Sequence, residues 1–416
     1  MGAIRQVGAS DFHDLVTFDM GGTSTDVCLV SGGTPIIAPE TRVDGLPIRT
    51  PVVDIASVGA GGGSIVWRDT GGMLRVGPRS SGADPGPACY GRGGQAPTVT
   101  DAHVIRGTLL PESFLGGRMS LDLPAAREAF APLAAAFGMT IEQIADSAIR
   151  LADANVVRAI QLISTELGRD PRDYVLVPFG GAGPLHAGRI AEDLGMTTIV
   201  VPQNAGVLSA FGLLASNYTQ YETVTRRIPV DAEAPATVRD VLGGLRDELA
   251  ARLREAGMTG TLDHSHTLQM RFVGQAFEVD VPLSDAEVAS LTPTMLADRF
   301  DEANRRMYLH SAGAGLAGKK VEIVGFRAGV TAAEHCPLPP RAAADGGRPV
   351  REVRVHEDRA TRNCTVMTRV AIRARGSVPG PLLVDDETST LYVPPGWHAV
   401  EDAAGNLVLR HTKASA

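Results

Sequence analysis

The stretch L-V-T-F-D-M-G-G-T-S-T-D-V-C-L-V at residues 15–30 decides the fold. Strand formers on both sides of a glycine-containing bend predict strand, turn and strand, so a hairpin opens the domain. A second stretch, Y-V-L-V-P-F-G-G-A-G-P-L-H-A-G-R-I-A-E-D-L-G at residues 174–195, predicts a buried strand, a glycine loop and a helix that Gly195 closes. Pro184 suits the first helical turn, where its missing N–H costs nothing. A strand at 198–201 completes a strand–loop–helix–strand unit. Between these two units, Thr140 with Gln143 forms a capping box. Ile144, Ala148, Ala152, Val156, Ile160 and Ile163 then share one face of a helix that Gly168 and Pro171 terminate.

Further strands are expected at 36–43 and 52–58. Glycine then interrupts regular structure, with 12 glycines among the 36 residues from Gly59 to Gly94. The flanks are too apolar for a linker, so this stretch predicts folded loops. Beyond 217–222, a helix at about 237–256, an alternating strand pair over 262–281 and a helix at about 294–308 predict an α+β domain. The Pro-, Ala- and Gly-rich stretch 337–349 predicts a linker, and short β-type runs after residue 350 predict a small β module. The expected organisation is a domain at 1–219, an α+β domain at 220–336, a linker at 337–349 and a β module at 350–416.

Composition narrows the function. The 416 residues include 44% hydrophobic and 21% charged residues, as in ordinary soluble globular chains. Lys and Arg total 39 against 47 acids, a net charge of −8, which leaves no basic excess for a nucleic-acid backbone. No apolar run reaches the ~18 residues of a membrane span, and the first residues lead into no signal-peptide core, so a cytoplasmic location is expected. The four cysteines form no C-x-x-C pair, which excludes a zinc knuckle or a disulfide framework as the organising element.

The chemistry concentrates in loops. In D-M-G-G-T-S-T-D at 19–26, Gly21 and Gly22 let backbone N–H groups approach an anion, while Thr23, Ser24 and Thr25 add hydroxyl donors. Asp19 and Asp26 frame them. A carboxylate beside phosphates is useful when it holds Mg²⁺ or orients a nucleophile, so Asp19 is the candidate metal residue. A plain hairpin turn with locally satisfied Thr and Asp side chains would look similar, but two acids framing three hydroxyls favour the anion reading. Gly61, Gly62 and Gly63 would let a second loop pass close to a nucleotide. Neither loop matches a Walker or dinucleotide fingerprint. In the third loop, Gly180, Gly181, Ala182 and Gly183 at a helix start would allow an adenine or ribose to lie against the backbone. His186 is a candidate proton carrier or an ordinary polar helix residue. Asp101 can position a metal or water, or cap a helix with Thr100, and capping ranks first. His264 and His266 share a strand face without a third metal ligand nearby.

Taken together, D-M-G-G-T-S-T-D, G-A-G-G-G-S-I (59–65), S-G-A-D-P-G-P-A-C-Y-G-R-G-G (81–94), P-T-V-T-D-A (97–102), the 168–187 stretch and V-P-P-G-W (393–397) resemble the hydantoinase A/5-oxoprolinase family over essentially the whole chain. The resemblance implies an actin-like ATPase (ribonuclease H-like) α/β domain, followed by the α+β domain and the β module. It also implies ATP and Mg²⁺ as cofactors. Residues 19–26 would be a phosphate loop and 179–186 the adenosine-side loop, with Asp19, Asp26, Asp101 and His186 as catalytic candidates. Relatives carry an earlier D-x-G-G-T-F-T-D phosphate loop upstream, so a partner supplying that N-terminal domain is expected, together with a hydantoinase B-like subunit. The implied reaction is ATP-dependent opening of a small cyclic amide such as 5-oxoproline or a hydantoin, through phosphorylation of its carbonyl. A non-catalytic nucleotide-binding or scaffolding subunit and an acetone carboxylase β-like subunit are the alternatives.

Overall fold

The computed structural model describes residues 1–38, 41–43, 45–48, 52–258, 260–307, 319–332, 337–341 and 349–412. The chain forms two compact units, one from 1–215 together with 337–416 and one from 216–336.

The first unit is organised by a nine-stranded sheet. Leu15–Met20 pairs antiparallel with Thr25–Ser31 as the hairpin pattern predicts, and parallel with Val175–Phe179, which runs parallel to Thr198–Val201. The strand Leu15–Met20 is covered on both faces, with Val16, Phe18 and Met20 on one and Leu15, Thr17 and Asp19 on the other, and only Asp19 is not buried. Val16, Phe18 and Met20 join one core with the helices Val99–Arg106, Ile141–Glu166 and Gly183–Leu194, whereas Leu15 joins a smaller core with Ala3, Val7 and Leu208. The capping box of Thr140 and Gln143 starts the long helix where expected. No helix among the described residues is long and apolar enough to cross a membrane.

Two expectations change. The glycine-rich stretch contains a hairpin, Ser64–Arg68 with Leu74–Ser80, which turns at Gly71 and Gly72, the latter at φ +83°. Its turn glycines are indistinguishable by composition from those of the neighbouring loops. The segment after residue 350 is not a separate module. Leu407–His411 pairs with Thr198–Val201, and Trp397–Glu401 and Val378–Pro379 extend the same sheet. A four-stranded sheet of Arg351–Glu357, Ala360–Met367, Leu382–Asp385 and Thr390–Val393 shares its core with the helices named above. Short β runs carry no local signal for the sheet edge that receives them. Of the expected linker, 342–348 lies outside the described residues.

The second unit is a four-stranded antiparallel sheet, Tyr218–Pro229, Val321–Ala332, Leu262–Phe272 and Val279–Leu283 in that order. It buries its own core, in which Val238, Leu242 and Leu249 of the helix Ala234–Glu255 meet Leu268, Met270, Ile323 and Phe326. His266 is buried and its Nε2 lies 2.7 Å from Asp285 Oδ1. Among the described residues, no group of three or more His, Cys, Asp or Glu side chains could hold a metal.

Candidate functional site

The hairpin register places Asp19 opposite Asp26 and Met20 opposite Thr25, so the four residues between form a tight bend closed by Gly21 N–H donating to Ser24 O at 3.2 Å. The 59–63 loop lies directly behind this bend. Gly62 N–H donates to Gly21 O at 2.9 Å and Gly63 N–H to Gly22 O at 2.6 Å, while the buried Thr25 hydroxyl donates to Ala60 O. A Cβ on Gly61 would sit 2.8 Å from Gly22 C and from Thr23 N and C. A Cβ on Gly21 or Gly22 would meet nothing within 4 Å, and neither glycine has a positive φ. Thr23 is exposed and Ser24 half-buried, so their hydroxyls differ from that of Thr25 in being on the open side.

The 180–183 loop docks onto the end of the same strand. Ala182 N–H donates to Met20 O at 3.0 Å and Gly180 N–H to Ala205 O at 2.9 Å. Gly180 has φ +83°, and a Cβ there would lie 2.4 Å from Asp19 Oδ1 and from Met20 O. Gly181 faces open space. Asp19 Oδ2 accepts a 2.6 Å hydrogen bond from the Ser209 hydroxyl. Burial raises the Asp19 carboxyl above its ordinary range, the Ser209 bond opposes that shift, and the nearby Asp26 charge adds to it. Asp26 itself accepts from Ser57.

The bends at 19–26 and 179–186 share one cavity of about 190 Å³, walled by Gly21, Gly22, Gly62, Gly181 and Ala182. Tyr90 and Phe114, with ring centroids 5.8 Å apart, form an aromatic wall, and Asp386 to Thr390 form another. Gly61, Gly63, Gly180 and Asp19 do not line it; they support or flank the bends that do.

Asp101 is fully buried. It is the third residue of a helix capped by Thr98, not Thr100, and its carboxylate accepts from Thr98 N–H and Oγ1 as well as from Ala88 and Cys89 N–H at 3.2 and 2.7 Å. It therefore anchors the 81–94 loop that presents Tyr90 to the cavity. Burial first, then the Asp101 charge, raise the Cys89 thiol far above its ordinary value, and burial pushes Cys28 up to about 11, so neither is poised as a thiolate.

His186 is not a lone helical histidine. Its Nδ1 lies 2.6 Å from Asp153 Oδ1, and its Nε2 lies 3.1 Å from Nε2 of His103, whose Nδ1 lies 2.8 Å from Thr108 Oγ1. With Asp153 ionised and both imidazoles neutral, one proton arrangement satisfies the chain: His186 donates to Asp153, His103 to His186 and Thr108 to His103. Burial first, then His186, Arg106 and Arg189, hold His103 well below 6.5 and so keep it neutral. His103 also lines the cavity. The sequence reading missed His103, Asp153 and Ser209. Asp153 did leave a signal, because with Asp146 it occupies the apolar face of its helix in register with Ile149 and Val156.

A family model described as hydantoinase/oxoprolinase matches residues 1–222, and one for the hydantoinase/oxoprolinase C-terminal domain matches 230–412. Caprolactamase subunit alpha of Pseudomonas jessenii is 32% identical over 409 residues, which cover 95% of this chain and 58% of that one. 5-Oxoprolinase PfmaA of Pestalotiopsis fici is 30% identical over 92% of this chain and 31% of its own length. The chain thus spans less than two thirds of either relative. The crystal structure of ATP-dependent caprolactamase from Pseudomonas jessenii superposes with a TM-score of 0.74 at 30% identity, covering 99% of this chain and 60% of that one. A nucleotide-free acetone carboxylase structure reaches 0.81 at 24% identity, with the same coverage, and shows the mixed α/β fold.

Proposed function

Because this chain belongs to the hydantoinase/oxoprolinase family, we propose that it is the nucleotide-handling subunit of an ATP-dependent cyclic-amide hydrolase that phosphorylates the lactam carbonyl oxygen before the ring opens. The observation that carries the reading is a set of three glycines, Gly21, Gly22 and Gly181, that the fold does not require. Each has open space where a Cβ would stand, none has a positive φ, and all three line one cavity. A bound group approaching the backbone gives these positions a reason to lack a side chain.

In this reading the first unit is an actin-like, ribonuclease H-like nucleotide body. At about 190 Å³ the cavity is smaller than the roughly 300–1,000 Å³ of complete small-molecule pockets, so it suits the flat base-and-sugar end of ATP better than the whole nucleotide. Tyr90 and Phe114 offer a stacking wall and Asp386 an acceptor for ribose hydroxyls. The phosphates run over the 21–24 bend, where Thr23 and Ser24 face outward. Asp19 fits a Mg²⁺ role, since one oxygen is pinned by Ser209 and the carboxylate sits between the two bends. The metal would neutralise phosphate charge there. Gly61 and Gly63 shape the bend from behind, Asp101 holds the 81–94 loop, and His186 positions His103 against the cavity.

An amide carbonyl is a poor electrophile. Transfer of the γ-phosphoryl group to its oxygen makes phosphate the leaving group, and backbone N–H donors stabilise charge on the transferring group. A first water adds to the carbon and the amine leaves as the ring C–N bond breaks, which gives an acyl phosphate; a second water then adds there, releasing inorganic phosphate and leaving the carboxylate. The reading assigns further phosphate contacts to an additional phosphate-loop region and the hydrolytic step to a hydantoinase B-like partner.

The test is ADP release stimulated by 5-oxoproline, hydantoin or caprolactam in the assembled complex. Asp19→Asn is expected to lower kcat at least about 100-fold, in the range for loss of one electrostatic stabiliser, with thermal stability at or above that of the parent. Unchanged lactam-stimulated turnover in that variant would sink the assignment. ATP binding without any lactam-stimulated turnover would support the non-catalytic alternative.

A further inference from the structure

The first unit holds a second cavity, of about 280 Å³, on the far side of the His186 chain. It is lined by five carboxylates, Asp153, Glu192, Asp193, Glu357 and Asp358, against three guanidinium groups, Arg150, Arg189 and Arg362, with Pro394 and Pro395 as its apolar wall. Much of this charge is already committed. Glu192 accepts from Trp397 Nε1 at 2.8 Å, and Glu357 from Arg106 and from Tyr392 Oη at 2.7 Å. Arg189 Nη2 donates to Asp146 Oδ1 at 2.7 Å, and Asp358 accepts from Arg150.

Two buried atoms are not committed. Asp153 Oδ2 and Arg189 Nη1 have no hydrogen-bond partner among the described residues, and both residues line this cavity. The Asp153 side chain is only 2% exposed. Asp153 is held through its other oxygen by His186 and Arg189 through its other terminal nitrogen by Asp146, but a buried polar atom left without a hydrogen bond is itself costly, so each of the two calls for a complementary group. A metal cation would satisfy Asp153 and leave Arg189 Nη1 unpaired. An inorganic anion would satisfy Arg189, leave Asp153 unpaired and face an excess of two negative charges. A ligand carrying both groups, joined by methylenes that rest on the prolines, satisfies both. Asp193 stands at the exposed mouth as a second acidic partner for the cationic end.

We infer that this cavity binds a short aliphatic amino acid, with its ammonium group on Asp153 and Asp193 and its carboxylate on Arg189. Asp153 would then divide its two oxygens between the ligand and His186, which contacts His103 in the wall of the first cavity. Opening a cyclic amide leaves an amine and a carboxylate on one chain. A role as product sensor therefore rests on the function proposed above, whereas the binding itself does not.

Calorimetry on the full chain, without nucleotide, tests the site with three probes: 4-aminobutyrate, butyrate and butylammonium. The first is expected to bind at least about tenfold more tightly than either of the others, since each of those forgoes one charge-assisted contact. Asp153→Asn keeps an acceptor for His186 and should weaken 4-aminobutyrate about tenfold or more. Asp193→Asn, at an exposed position that does not hold the fold, should weaken it about two- to fivefold, the range of an exposed ion pair. The inference is overturned if no probe binds, if all three bind alike, or if Asp193→Asn and every variant that folds bind 4-aminobutyrate like the parent. Loss of lactam-stimulated turnover with this binding pattern intact would overturn the function above and leave the site standing.

Discussion

The two bends at 21–22 and 61–63 are both glycine runs, touch each other through paired backbone hydrogen bonds and look interchangeable in composition, yet glycine serves opposite ends in them. At Gly61 a side chain has no room, because a Cβ would press on three backbone atoms at 2.8 Å, and backbone cannot swing aside as a long side chain can. At Gly21 and Gly22 a side chain has room to spare. The 61–63 bend carries glycine for the benefit of the fold, whereas in the 21–22 bend the fold makes no such demand. Where packing demands glycine, the demand is met inside the protein. Where nothing in the protein demands it, the function proposed above supplies the reason, a bound group approaching the backbone.

This contrast breaks most visibly at Gly61. Gly61→Ala is expected to cost about 3 kcal/mol, the upper end for overpacking, because all three close atoms are main chain. Equilibrium urea unfolding measures it, and a cost below about 0.5 kcal/mol would mean that the two bends separate easily and that the hydrogen bonds from Gly62 and Gly63 are not a rigid support. The complementary substitution, Gly22→Ala, should leave unfolding within about 0.5 kcal/mol of the parent. It should nevertheless weaken ATP binding about tenfold, equivalent to ~1.4 kcal/mol. A destabilised Gly22→Ala protein, or one binding ATP like the parent, would erase the distinction between the bends.

How far this was legible in the sequence follows from the distance over which each interaction acts. The 15–30 hairpin, the capped helix Ile141–Glu166 and the helix beginning at Gly183 are local, so alternation, a Thr–Gln capping box and an early proline reveal them. The two reasons for glycine are not local, since only the approach of residues 59–63 to 21–23 separates them. Likewise, His186 meets His103 across 83 positions and Asp153 across 33. Each residue looks ordinary on its own helix. The strands at 397–411 read as an independent module because the partner that takes them in, Thr198–Val201, lies two hundred residues earlier.

Asp19 sharpens the comparison at its smallest expected effect, because it stands where the open bend meets the packed interior. Its carboxyl titrates above the ordinary value of 3.8, with burial the largest cause and Asp26 a further one. The folded state therefore holds this proton more tightly than the unfolded chain does, so stability falls as pH rises from 3.8 through the raised folded value. Asp19→Asn removes the charge while its amide oxygen can still accept from Ser209. Its advantage over the parent should be absent near the bottom of that window, grow as pH rises through it and level off by neutrality. Solvent screens this half-buried group, so the gain should stay below about 1 kcal/mol. Urea unfolding of both proteins between pH 4 and pH 7.5 measures it. An Asn variant that is less stable than the parent at neutral pH would show that the fold favours the ionised carboxylate. Asp19 would then be a structural ion, and the open bend would have lost the one acidic group placed to serve a ligand instead of the protein.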